Sequence, residues 1–412
     1  MITPNTLSEL VETVWPAAEL AGLNCGHVHF ELVDGEDIQA LASYQGLPIR
    51  YAHWSFGKTF GRLKTAYDYR LSRIYELVIN SRPAFAFIDR RSSPAQAMLI
   101  VAHVLAHVDF FSHSRLFADT DRSILQTTAR HTRKLAEFRA EFGAEAVESL
   151  IDAALVLADF PGETDSGWGE PGADPGDLLG FVARYSQGIL PWEREVLLML
   201  RAESRYFWPQ QVSKIGNEGY ATFWHTRLMR QLACGADKFW EIAAVNASLL
   251  EVRPPQLNPY ALGGQLYQAI YRQQGLSGVF AARNFLDDAG LVRTALDQDV
   301  AELCQLGVYR EKDVQESAAR ADLTQVRAQL IQDVDHGGLP YMQVMAQDTL
   351  ATGILAMQHQ YDGRELDFYQ LPFALALVAQ RLWGGPVHIH TTRKGAPRVA
   401  GHDGQQWTDE AN

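Results

Sequence analysis

The segment MLIVAHVLAHVDFF, residues 98–111, constrains this chain more than any other. It is apolar nearly all round, which predicts a helix buried on every side. A chain of 412 residues is long enough to build such a core. Its interior polar groups, His103 and His107, are four residues apart. They differ by only about 40° around a helix and project one turn apart from the same face. An unpaired buried polar group costs about 1–3 kcal/mol, so both rings need partners. A divalent metal bound by neutral imidazole nitrogens satisfies both at once. Separate hydrogen bonds to carbonyls or acids would serve equally, and the spacing alone leaves both readings open. The apolar run Met98 to Val108 falls short of the ~18 residues a span requires, so no membrane insertion is expected.

A second stretch, NEGYATFWHTRLM (217–229), reads as another helix. Glu218 and His225 are seven apart, about 20° from superposition, and share a face. Ala221 lies between them on that face and is small enough to admit a neighbouring helix. Two helices with two ligand-type side chains each can form a cage inside a bundle. The expected metal ligands are therefore His103, His107, Glu218 and His225, with zinc or another divalent ion bound. Two acids are candidates for moving protons. Glu203 (RAESRYFWPQ) lies at an aromatic-rich helix end, and Glu76 (SRIYELVIN) within an apolar helix; each also reads as a charge paired with arginine. Asp109 is about 200° round from His107 and is expected to pair structurally. His53, in RYAHWSFGK, either enters a pocket or packs among aromatics. No P-loop, GxGxxG fingerprint or GxSxG elbow is present.

Helical periodicity or strong helix formers mark 6–21, 58–80, 94–112, 121–158, 177–187, 191–207, 215–233, 236–250 and 259–273. Residues 160–177 (FPGETDSGWGEPGADPGD) are rich in Gly, Pro and acids and read as an exposed, flexible loop or linker. Beyond 320 the texture changes. A helix at 322–334 precedes strands at 340–347 and 353–361, a helix at 365–382, and strands at 386–393 and 397–402. The fold class expected is mainly α: a large helical domain over 1–290, a helical connector over 291–319, and a small α+β domain over 320–412.

The balance of 36 Lys and Arg against 49 Asp and Glu gives a net charge of −13, which disfavours nucleic acid or anionic membrane as a partner through bulk charge. The densest basic stretch, RHTRKLAEFR (130–139), reads as a solvated helix face. Cys25, Cys234 and Cys304 stand singly, which favours a reducing compartment and excludes a cysteine-built zinc site. The N-terminal stretch lacks a signal-peptide pattern, so a cytoplasmic location is expected.

HxxxH on one helix, with Glu218-Gly219-Tyr220-Ala221 on a later one, resembles the gluzincin metallopeptidases, and a zincin-like helical core follows from that likeness. The family's general-base glutamate is absent, because Val104 holds its position. A closer resemblance is to the stage V sporulation protein R (SpoVR) family. It is carried by YQGLPIRYAHWSFGK (44–58), LSRIYELVINSRPAFAF (71–87), LIVAHVLAHVDFF (99–111), YFWPQQVSKIGNEGYATFWHTRLMR (206–230), NPYALG (258–263), GGLPYMQV (337–344) and LWGGPVHI (382–389). Where the family has FFKNN this chain has FFSHS, so His113 is not transferred as a ligand. The chain is also shorter than a typical member around the linker and after residue 273. The resemblance implies a link to spore cortex peptidoglycan or, outside spore-formers, to stationary-phase stress. It also implies a PrkA-like serine protein kinase and a von Willebrand A-like protein as partners. Two mechanisms follow. One is a zinc-dependent amidase or peptidase with Glu203 or Glu76 as proton shuttle; the other is a non-catalytic regulator or scaffold with a structural metal site.

Overall fold

The computed structural model describes residues 1–68, 76–162, 170–232, 236–254, 256–307 and 322–411. The expected linker residues 163–169, the connector residues 308–321 and Cys234 lie outside the described residues. In chain order the elements begin with α1 (Pro4–Leu20), β1 (Val28–Val33), α2 (Gly35–Ser43), α3 (Trp54–Asp68), β2 (Glu76–Ile79), β3 (Ala84–Asp89) and α4 (Pro94–His113). There follow α5 (Ile124–Phe142), α6 (Ala144–Ala158), α7 (Leu178–Tyr185), α8 (Pro191–Val212), α9 (Lys214–Leu232), α10 (Ala236–Leu249) and α11 (Pro259–Phe285). The chain closes with α12 (Asp288–Ala295), α13 (Gln298–Leu303), α14 (Leu323–Val334), β4 (Tyr341–Val344), α15 (Ala346–Thr352), β5 (Leu355–Gln360), α16 (Leu371–Leu377), β6 (Val387–Arg393), β7 (Ala396–His402) and β8 (Trp407–Ala411). The fold is mainly α with a C-terminal α+β part.

The elements gather into two compact units, each assembled from separated stretches. The first holds Met1–Pro48, Ala52–Leu125 and Gln210–Asp335; the second holds Ile49–Tyr51, Gln126–Pro209 and His336–Asn412. Grouping thus does not follow the sequential order expected from composition, since 126–209 joins the C-terminal strands.

In the first unit α4 is the core helix. Ser93 and Gln96 cap it reciprocally, and Pro94 opens its first turn. Every side chain from Ala97 to Phe111 is buried. The helix is long and apolar enough to cross a membrane by length and composition, yet 89% of its apolar window is buried inside the protein. It packs against α1, α9, α10 and β3. Asp109 is fully buried on it, accepting from the Asn24 amide (2.8 Å), Tyr220 Oη (2.5 Å) and Arg283 Nη1 (2.5 Å). The α9–α11 crossing is closer still. A Cβ on Gly263 would fall onto the carbonyl oxygen of Ile215, and one on Gly219 onto the backbone of Gly263. Gly219 and Gly263 meet there because only residues without Cβ let the two backbones come this close.

The run 58–80 is not one helix. α3 ends at Asp68, residues 69–75 lie outside the described residues, and Glu76 opens a strand. Glu76–Ile79 pairs antiparallel with β3, which pairs parallel with β1, giving the order β1-β3-β2. The β-branched Val78 and Ile79, followed by Ser81-Arg82-Pro83, suit a strand and its turn better than a helix interior. The expected helix 121–158 breaks at Gly143, whose φ of 93° no other residue type adopts readily.

In the second unit five strands run in the order β4-β5-β6-β7-β8. Lys394 (φ 50°) and Gly395 (φ 76°) make the two-residue β6–β7 hairpin. α15 and β8 add to the expected elements, and α16 covers only part of 365–382, continuing as a π-helical turn over Val378–Trp383. The described part of the 160–177 loop is anchored rather than free. Asp177 is fully buried, caps α7 at the Gly180 amide and pairs with Arg201 (2.6 Å) and Arg205 (3.2 Å).

Candidate metal centre

The 3.6-residue period of α4 and of α9 brings four expected residues together in the first unit. His103 and His107 stand with rings perpendicular and centroids 4.5 Å apart. Glu218 Oε2 from α9 lies 3.3 Å from His103 Nε2 and 3.4 Å from His107 Nε2. One ligand atom from each of the three lies within 4.8 Å of the others. His225 reaches the same pocket but turns elsewhere: its Nδ1 meets His103 Nδ1 at 2.8 Å, and its Nε2 meets Asn246 Oδ1 on α10 at 2.8 Å. Asn217 Oδ1 holds His107 Nδ1 at 2.8 Å. An acceptor at Nδ1 places the His107 proton there and leaves a lone pair on Nε2, facing Glu218.

The donor set suits a divalent ion. Two imidazole nitrogens and a carboxylate oxygen are zinc's commonest ligands outside cysteine, and bonds of ~2.05 Å at tetrahedral angles separate ligand atoms by about 3.3 Å. The two distances from Glu218 Oε2 agree with that edge. Glu218 keeps 22% of its side chain accessible, so the cluster is not sealed.

In the absence of an ion, burial and the Glu218 charge set the balance of protonation in the cluster. Burial, helped by the neighbouring His107, pushes His103 down to about 4, and burial together with His103 pushes His225 down to about 3. Burial works against His107 too, but the Glu218 charge and the contacts with Glu218 and Asn217 hold it above its ordinary value. Burial alone would raise the Glu218 carboxyl; His107 and the close contacts with both rings keep it well below the usual carboxylate range. Burial lifts Glu76 to about 7, with the Glu218 charge adding and His107 subtracting, so Glu76 stands within electrostatic reach of the cluster.

An acid-stability prediction follows. A ring whose folded pKa is lowered stabilises the fold fully above the unfolded value of about 6.5, and that contribution is lost as pH falls toward the folded value. His103 and His225 both act in this sense, His103 by about 3 kcal/mol. His107 acts oppositely, its contribution fading as pH rises. Glu76 and Asp288, both lifted to about 7 by burial, also act opposite to His103 and His225. The rings' share is therefore read as the difference between chelator-treated wild type and His225→Leu in urea unfolding: between about pH 7 and pH 4 wild type should lose more stability than the variant. Parallel profiles in the two proteins would contradict the buried neutral rings.

Not every expected residue joins the cluster. Glu203 belongs to the second unit, where Arg50 Nε (2.8 Å) and His131 Nδ1 (3.0 Å) each take one of its oxygens. That engagement makes it a buried structural carboxylate. His53 Nδ1 turns to Ser55 Oγ at 2.7 Å beside Trp54 and Phe56. His113 Nδ1 turns back to the Asp109 carbonyl at 2.8 Å. Three contributors escaped the spacing argument. Asn217 and Asn246 are the hydrogen-bond partners above, and the Tyr260 ring lies tilted against His103 with centroids 5.9 Å apart. The charge of Glu218, burial and the charge of Glu76 hold its phenol well above its ordinary pKa, so it stays protonated. Tyr260 sits in the NPYALG stretch, but no periodicity connects it to α4 or α9.

The family model described as SpoVR like protein matches residues 2–167 and 169–339. A curated relative, "Uncharacterized protein YcgB" of Escherichia coli (strain K12), is 26% identical over 312 residues. That match covers 62% of this chain and 61% of the relative, so the chain spans about three fifths of the relative's length. No solved structure matches.

Proposed function

The chain belongs to the SpoVR family, and from that premise we propose that it is a metal-dependent hydrolase with its ion held by His103, His107 and Glu218. The observation that carries this reading is that, among the described residues, three ligand atoms gather within 4.8 Å of one another. Both nitrogens of His225 are engaged by His103 and Asn246. A site with three protein ligands and a further position left to water or substrate is the catalytic arrangement, whereas four protein ligands close a structural one. Zinc, when bound, polarises a carbonyl and acidifies water at that position.

The chain's own groups supply the rest. Glu76, on β2 and within electrostatic reach of Glu218 and His107, takes the role of the glutamate that Val104 replaces; a carboxyl with a pKa near 7 can both accept and return a proton at neutral pH. Tyr260, its phenol kept protonated chiefly by the Glu218 charge, supplies a neutral O–H group beside the cluster. The bond class that suits this equipment is an amide, and the family's link to cell-wall physiology points to peptidoglycan peptides as substrates. The likeness to zincins is confined to ligand spacing.

The test is zinc-loaded protein assayed on peptidoglycan fragments and on unmodified peptides, wild type against Glu76→Gln. The variant should keep its zinc and lose on the order of 10²–10⁴ in turnover, the range for removal of a general base. Full activity in Glu76→Gln, or none in either protein on any amide substrate, would overturn the reading.

A further inference from the structure

His225 and Asn246 touch no ligand atom other than through His103, yet they decide what His103 can do. Asn246 Oδ1 lies 2.8 Å from His225 Nε2, and His225 Nδ1 lies 2.8 Å from His103 Nδ1. His103 and His225 are 1% and 0% exposed, so water cannot substitute for either partner. A neutral imidazole carries one N–H and one lone pair. An amide oxygen only accepts, so His225 carries its proton on Nε2 and presents a lone pair at Nδ1. His103 must then donate from Nδ1, which leaves its Nε2 lone pair, 3.3 Å from Glu218 Oε2, for an ion held between these two acceptors.

We propose that Asn246 and His225 form a positioning relay that fixes the tautomer of His103 and thereby makes its Nε2 a metal ligand. The inference rests on the metal reading above. The opposite polarity, with the Asn246 amide turned to donate, would put the His103 proton on Nε2, where it would bond Glu218 and exclude an ion. The two ligand imidazoles are thus set by two asparagine oxygens, His107 directly by Asn217 and His103 by Asn246 through an intervening ring. His225, placed among the ligands by its spacing, acts one step behind them.

The polarity can be tested because aspartate, unlike asparagine, cannot donate once ionised. Zinc affinity is measured by chelator competition on the untagged full chain for wild type, Asn246→Leu and Asn246→Asp, with thermal midpoints confirming folding. Asn246→Leu should bind zinc about 10- to 100-fold more weakly, the usual loss for a partner behind a metal ligand. Asn246→Asp should stay close to wild type. In zinc-free wild type, ¹⁵N imidazole spectra should show His103 protonated at Nδ1 and His225 at Nε2. Wild-type affinity in Asn246→Leu, equal losses in both variants, or a His103 proton on Nε2 would overturn the relay. If Asn246→Leu does not fold, Asn246→Asp and the spectra still decide. If wild type takes up no zinc, the metal reading falls, while the spectra still report the relay's polarity.

Discussion

Gly263→Ala should destabilise the first unit by more than about 3 kcal/mol, at or beyond the upper end of ordinary overpacking. The added Cβ would meet the Ile215 carbonyl and the backbone of Gly219, and neither can yield as the end of a flexible side chain can. The helices α9 and α11 would have to separate. Glu218 precedes Gly219 and Tyr260 lies one turn before Gly263, so the same separation would pull a ligand away from α4 and Tyr260 away from His103. Thermal unfolding with and without zinc should show a large drop in midpoint and a smaller zinc response. Gly57→Ala is the control. Nothing lies within 4 Å of a Cβ there, and alanine within α3 should be neutral or mildly stabilising. A Gly263→Ala protein that melts like wild type would refute the glycine-to-glycine crossing.

Glu218→Gln should weaken zinc binding by on the order of 10²-fold or more, since it removes a direct ligand, and losing even a partner behind a ligand costs 10- to 100-fold. A neutral amide is a poorer zinc ligand than a carboxylate. The consequence for folding separates the two roles a metal can have. The site's helices are held by a continuous apolar core that runs through α4, α9 and α11. If the ion is catalytic, chelator-treated wild type and the mutant should both unfold cooperatively at midpoints only a little below that of zinc-loaded wild type. A structural ion would make metal-binding free energy part of folding free energy, and the midpoint would collapse on chelation. Metal content and thermal midpoint, measured together for both proteins with and without chelator, distinguish these outcomes.

The parts of the site that were legible in sequence are those that depend on one helix at a time. An all-apolar segment has to be a core helix, and the 3.6-residue period then aligns His103 with His107 and Glu218 with His225. The C-terminal strands were legible because alternation and glycine turns such as Lys394-Gly395 are local signals. Glu76 was placed on a helix because its apolar surroundings continue the helical composition before it, and only the pairing of β2 with β3 shows the strand. Asn217, Asn246 and Tyr260 acquire their roles through neighbours from other helices, which no period within one segment encodes. The same holds for Glu203. Its place in an aromatic helix end was apparent, while Arg50 and His131, which occupy it, come from elsewhere in the second unit.

The most direct measurement is elemental analysis of the untagged protein, purified without added metal and then after one equivalent of zinc and gel filtration. One tightly held divalent ion per chain in wild type, lost on His107→Ala and on Glu218→Gln while both variants remain folded, is the predicted result. A wild-type chain that carries no ion and retains none after zinc addition would contradict the metal centre, and His103 and His107 would then be histidines of a hydrogen-bonded core.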